Sequence, residues 1–149
     1  MNLIIKNLQK IVPISQNKIQ RVALKVLSLE GVKLTGEITI VFVGDQEMRE
    51  INLMYLGSDS STDVISFDNS IKKNELLADI AISCDTAVRN ARIFKTSPPD
   101  EINLYVVHGL LHLLGYDDNN KKNRLTMHKR QEYLLRAISQ LCLSREPTP

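Results

Sequence analysis

Apolar and polar positions alternate with two periods along this chain, and the switches between them mark its elements. Leu3, Ile4, Ile5 and Leu8 fall in a short run over residues 3 to 8 that reads as a first strand. Pro13 interrupts it. Ser15 then suits the cap of a helix whose stripe Ile19, Val22, Ala23, Val26 and Leu27 recurs at helical spacing, with Gly31 and Gly36 bracketing its end. Residues 37 to 43, Glu-Ile-Thr-Ile-Val-Phe-Val, are rich in β-branched side chains and predict a strand. Gly44 breaks it, and Asp45 is placed to cap a second helix reaching about Tyr55.

Residues 57 to 63, Gly-Ser-Asp-Ser-Ser-Thr-Asp, form a loop by composition. Val64 to Phe67 reads as a short strand, residues 71 to 75 as a hairpin tip, and Leu76 to Ser83 as a further strand. Asp79 is out of place there. A carboxylate in a strand core needs a partner, so it faces outward or serves a site. Cys84 to Lys95 predicts a helix that Pro98 and Pro99 stop, and Pro99, Asp100 and Glu101 open the next one. A last amphipathic helix spans about Asn120 to Leu143 with Leu134, Leu135, Ile138 and Leu141 inward, before a loose tail over residues 145 to 149. Strands and helices mix without strict alternation. The expectation is an α+β fold: one domain over residues 1 to 149, with a single mixed sheet of about four strands covered by helices.

The helix after Pro99 carries the candidate chemistry. His108 and His112 stand four apart in a strongly apolar run. That spacing stacks two imidazoles on one face, where both can reach a single metal ion. Gly115 ends the helix by taking the left-handed conformation at C′. The chain then turns, and Asp118 brings a carboxylate six residues after His112. Two histidines and one carboxylate form a catalytic zinc set with one position open to water. The competing reading gives Asp117, Asp118, Asn119 and Asn120 the task of capping the following helix. The residue after His108 is Gly109 and not the glutamate of the His-Glu-x-x-His proteases, so that route to peptide hydrolysis has no base here.

The bulk properties narrow the classes. A content of 43% hydrophobic and 24% charged residues is that of a soluble globular protein, and a net charge of +2 does not mark a binder of random DNA. Two cysteines, Cys84 and Cys142, make neither a disulfide framework nor a zinc knot, which favours a reducing cytoplasm. No run approaches the ~20 apolar residues of a membrane span, and no signal peptide is evident.

Two blocks of the chain resemble the YbeY family of bacterial rRNA maturation factors, described as metal-dependent endoribonucleases. Residues 52 to 67, Asn-Leu-Met-Tyr-Leu-Gly-Ser-Asp-Ser-Ser-Thr-Asp-Val-Ile-Ser-Phe, are similar to the family's Asn-x-x-Tyr-Arg-Gly-x-Asp-x-Pro-Thr-Asp-Val-Leu-Ser-Phe. Residues 108 to 118, His-Gly-Leu-Leu-His-Leu-Leu-Gly-Tyr-Asp-Asp, are similar to its His-Gly-x-Leu-His-Leu-x-Gly-Tyr-Asp-His, and residues 77 to 80, Leu-Ala-Asp-Ile, are like the Leu-Gly-Asp-Ile strand between them. The resemblance implies a three-ligand zinc site and work on the 3′ end of small-subunit rRNA and on ribosome quality control. His108 and His112 fall on the family's first two ligands. The third family histidine is Asp118 here, a harder ligand that lets Fe2+ or Mn2+ compete with Zn2+. The family's arginine, implied to grip phosphate, is Leu56 here, and its proline is Ser61.

The leading expectation is thus a single-strand endoribonuclease in which a metal-bound water is the reactive group. Asp63, Asp79 and Asp117 are candidates to hold the histidine rings by hydrogen bonds; for Asp63, capping its own loop is an equal alternative. Lys121, Lys122 and Arg124 are candidates to meet the RNA backbone. Its partners would be rRNA, the small ribosomal subunit and that subunit's proteins, with no membrane and no specific DNA. Two rivals stand beside it. One is a non-catalytic ribosome-assembly protein with a structural or vestigial metal site, in which His128 is the remaining histidine able to close the coordination. The other is a metallohydrolase of peptides or small molecules.

Overall fold

The computed structural model describes residues 1–59 and 61–144, the side chains of 141–144 excepted. The elements are β1 (Asn2–Asn7), α1 (Gln16–Leu29), β2 (Thr35–Val43), α2 (Asp45–Leu56), β3 (Val64–Asp68), β4 (Glu75–Ser83), α3 (Cys84–Phe94), α4 (Pro98–Leu113) and α5 (Lys121–Ser144). The strands form one four-stranded sheet in the order β1-β2-β4-β3. β1 and β4 flank β2 in parallel, and β3 pairs antiparallel with β4 through the expected hairpin. The α+β architecture with one mixed sheet follows the sequence expectation. Leu141 as an inward position and the tail over residues 145–149 lie outside the described residues. Among the described residues, no helix is long and apolar enough to cross a membrane.

Side-chain alternation divides the sheet into two unequal faces. Ile38, Ile40 and Phe42 of β2 and Leu76, Ala78, Ile80 and Ile82 of β4 point to the larger core, where they meet Val22 and Val26 of α1 and Val106, Leu110 and Leu111 of α4. The opposite face holds a small cluster, Val43, Ile65 and Ala81 under Met48 of α2. α4 is apolar nearly all round because it packs on the sheet while α1, α3 and α5 pack on it. Its start is set by Ser97, whose hydroxyl accepts from the Asp100 N–H, followed by Pro98 and Pro99 in the first turn.

Two expectations are corrected by this packing. Asp45 does not cap α2. Gly44 is the cap residue and Asp45 is the first helical residue. Its carboxylate instead accepts from Arg89 of α3 and from the hydroxyls of Ser61 and Ser83. The Arg89 guanidinium and these hydroxyls hold it well below the usual carboxylate range. Asp79 is exposed on β4, where its neighbours in register are Phe67 and Thr39 and its carboxylate accepts from Asn69 Nδ2 at 3.0 Å. Strand period two puts it on the α2 side of the sheet, away from the face that α4 covers, so it does not support the histidines.

Candidate metal centre

The last two turns of α4 carry the histidines, His112 in the final one and His108 one turn before it. Their Nε2 atoms lie 3.1 Å apart, with ring centroids at 4.6 Å and planes at 76°. The helix then closes in a Schellman turn. The Tyr116 N–H bonds the Leu111 carbonyl at 3.0 Å, the Gly115 N–H bonds the His112 carbonyl at 3.2 Å, and Gly115 takes φ +101°. This reversal brings the Asp118 carboxylate to 3.8 Å from His112 Nε2. One donor atom from each of His108, His112 and Asp118 falls within 4.8 Å of the others. Asn120 takes the capping task, its side chain accepting from the Asn123 N–H at 2.8 Å, while the Asp117 carboxylate accepts from Asn119 and Asn123. Asp117 therefore braces the loop and does not bond a histidine.

Three supports hold this cluster in place, and the sequence reading missed them. His108 Nδ1 lies 3.0 Å from Gln131 Oε1 on α5. With the amide oxygen accepting, Nδ1 carries the proton and the Nε2 lone pair is turned into the cluster. The available signal was a polar residue on the inward stripe of α5, between Met127, Leu134 and Ile138. Second, Gly109 is buried against the sheet, and its carbonyl accepts from the Ser66 hydroxyl at 3.0 Å. The position beside His108 thus has no room for a glutamate side chain. Third, Glu30 at the end of α1 accepts from Tyr116 Oη at 3.1 Å and from Arg130 Nε, pinning the loop that carries Asp118 to two helices.

Two clefts meet at the cluster. One, about 680 Å³, runs between α2, the edge strand β3 and α4, and includes Leu56, Asp63, Ser66 and Asp68 with the two histidines and Asp118. The other, about 580 Å³, lies against α5 and includes Lys121, Arg124 and His128 with His108 and Asp118. Of the expected basic residues, Lys121 and Arg124 border the cluster and Lys122 does not. The Asp63 carboxylate accepts from its neighbours' Val64 N–H at 2.8 Å and Thr62 hydroxyl at 3.3 Å, so it orders its own turn while lining the cleft. His128 is not in the three-residue cluster. Its Nε2 faces Glu132 at 3.9 Å.

Fold and site together define a class: an α+β protein with a candidate His₂Asp metal centre where two clefts join. The sequence profile described as Endoribonuclease YbeY matches residues 4–139. An endoribonuclease YbeY of Syntrophus aciditrophicus is 39% identical over 141 residues, covering 90% of this chain and 88% of its own. One from Desulforamulus reducens is 34% identical over 149 residues, covering 93% and 97%. The chain belongs to the endoribonuclease YbeY family. The solution structure of TM1509 from Thermotoga maritima, with a TM-score of 0.68 and 22% identity over 99% of this chain and 97% of that one, has the same fold.

Proposed function

We propose that this protein is a metal-dependent endoribonuclease that cuts single-stranded RNA in the cytoplasm and matures the 3′ end of small-subunit rRNA in contact with the small ribosomal subunit and its proteins. The names of its relatives support the nuclease reading. The observation that carries the metal is the convergence of three donors from one helix end and the loop after it. Two nitrogens bound to one tetrahedral zinc at ~2.05 Å each are ~3.3 Å apart, close to the 3.1 Å found here. The donor set suits Zn2+, and its carboxylate also admits Fe2+ or Mn2+.

A divalent ion at this place supplies Lewis-acid polarisation of a phosphoryl oxygen and lowers the pKa of water. The remaining work falls to the chain. Gln131 fixes the tautomer of His108. Lys121 and Arg124 sit where backbone phosphates next to the cluster would lie. Gly109 leaves no carboxylate beside His108, which sets the site apart from the His-Glu-x-x-His proteases and weighs against peptide hydrolysis.

One observation favours a second reading. Leu56, 62% exposed, borders the cleft where the family pattern has arginine. A chain without that cation fits a ribosome-assembly binding protein with a vestigial metal site. The test joins elemental analysis to cleavage of single-stranded RNA by wild type, His108→Ala, His112→Ala and Asp118→Ala. About one metal per chain in wild type, lost in His112→Ala together with cleavage, is the expected result. Cleavage that survives in His108→Ala refutes the enzyme reading. A metal-loaded but inactive wild type that sediments with the small subunit at low salt favours the second.

A further inference from the structure

The two sides of the cluster differ in chemistry. The α5 side offers cations, Lys121 and Arg124. The α2 side offers Asp63 and Asp68, and where α2 ends it exposes an apolar run, Leu53, Met54, Tyr55 and Leu56. Tyr55 is 63% exposed although its ring packs on Phe67 of β3, with centroids 4.7 Å apart and planes tilted 45°. Neither ring lines the cleft; the pair lies beside it, one residue before Leu56 on α2 and on the same strand face as Ile65 of β3, both of which do line it.

β3 is one of the two outer strands of the sheet, and its residues line the same cleft. The Asp63 carbonyl and the Asn69 N–H bond Ser83 and Leu77 of the β4 side at 2.9 and 2.7 Å. In an antiparallel ladder the intervening even-numbered residues then turn their main-chain groups away from the partner strand. Ser66 and Asp68 thus present N–H and C=O groups toward the cleft.

Beyond the cluster itself, a phosphate is poorly matched to this side, where Asp63 and Asp68 line the cleft and, among the described residues, no Lys or Arg does. A nucleobase is well matched: it has an apolar face for an aromatic ring and a polar edge for main-chain donors and acceptors. We propose that Tyr55, backed by Phe67, is the stacking platform for one unpaired base of the RNA, on the side of the metal cluster away from Lys121 and Arg124. The strand crosses the cluster with phosphates held on the α5 side and a base held on the α2 side. A base inside a duplex cannot reach Tyr55, so the subsite selects single-stranded RNA. This inference rests on the ribonuclease reading and adds a binding position to it.

The test uses metal-loaded full-length protein and a fluorescent single-stranded RNA of roughly ten nucleotides, within the span such grooves take. An abasic nucleotide is stepped through the RNA, with binding read by anisotropy and cleavage as kcat and KM. Tyr55→Ala is expected to weaken binding and raise KM about tenfold, with kcat and metal content unchanged. Tyr55→Phe, which keeps the ring, behaves as wild type. One abasic position costs wild type a similar factor and costs Tyr55→Ala nothing further. A flat abasic scan, equal affinities of wild type and Tyr55→Ala, or an abasic penalty that persists in Tyr55→Ala overturns the subsite while leaving the nuclease reading intact; a protein-docking patch would give the flat scan. A wild type that neither binds nor cleaves RNA removes both.

Discussion

Gly109→Ala tests whether α4 is held at a fixed height over the sheet. A Cβ at that position would lie 2.9 Å from Ile80 Cγ2, 3.1 Å from Ser66 Oγ and 3.2 Å from Val64 Cγ2. Carbon contacts are comfortable from ~3.5 Å, so α4 has to lift by several tenths of an ångström or the two β-branched side chains have to yield. Neither is easy. Ile80 is fully buried between sheet and helix, and Ser66 is tied to the Gly109 carbonyl. Overpacking of this kind costs about 1–3 kcal/mol. It opposes a gain of about 1 kcal/mol from replacing glycine by alanine within a helix. The expected net loss is about 1 kcal/mol, which is a fall of ~2–4 °C in Tm for a chain of this size. His108 and His112 ride on α4 while Asp118 is pinned through Tyr116 to Glu30, so lifting the helix is also expected to weaken metal binding at the candidate centre. Urea unfolding gives the first quantity, and zinc competition with a chromophoric chelator gives the second. A variant more stable than wild type with unchanged zinc affinity would refute the argument, because it would show that α4 is not seated against Ile80 and Ser66.

Leu56→Arg should raise RNA cleavage on the order of 10²-fold, the usual worth of one charge-assisted contact to a developing phosphoryl charge, with metal affinity unchanged; equal rates would show that this position does not limit activity. Arg124, which borders the cluster, is the arginine placed to substitute for the missing one, whereas Arg49 of α2 lines neither cleft. Gln131→Leu removes the acceptor for His108 Nδ1 and is expected to lower metal affinity by ~10–100-fold, measured by chelator competition, with the fold kept by circular dichroism. Asp45→Asn tests the contact with Arg89. Because the folded carboxyl sits below its unfolded value, its contribution is complete above pH ~5 and fades as pH falls below the unfolded value of ~3.9. Urea midpoints should therefore show a constant gap between wild type and Asp45→Asn near neutrality that closes in acid, and a gap independent of pH would count against it.

What the sequence determined by itself is what depends on near neighbours. The pairing of His108 with His112 needs only helical spacing. The reversal at Gly115 needs only a residue free to take positive φ, so the approach of Asp118 was also legible. The four strands, the hairpin and the mixed sheet followed from short apolar and β-branched runs, from turn residues and from the irregular order of strands and helices. The family likeness added the expectation of RNA, which a net charge of +2 did not announce.

Tertiary structure decided what joins distant segments or depends on which face is covered. Gln131 meets His108 from 23 residues away, and Arg130 meets Glu30 across 100. No local pattern encodes such a meeting, because it exists only once α1, α4 and α5 have packed. Asp79 looked equally fit for a site or for solvent, and the register of β4 turned it to solvent. Asp117, Asp118, Asn119 and Asn120 were all candidates for the cap until the turn geometry gave it to Asn120. The basic run was divided in the same way, since a helix sends successive residues ~100° apart and only Lys121 and Arg124 face the cluster. Gly109 read as a missing base. The packed sheet makes it the residue that lets the helix approach at all, since the space a side chain would need is already filled by Ile80, Ser66 and Val64.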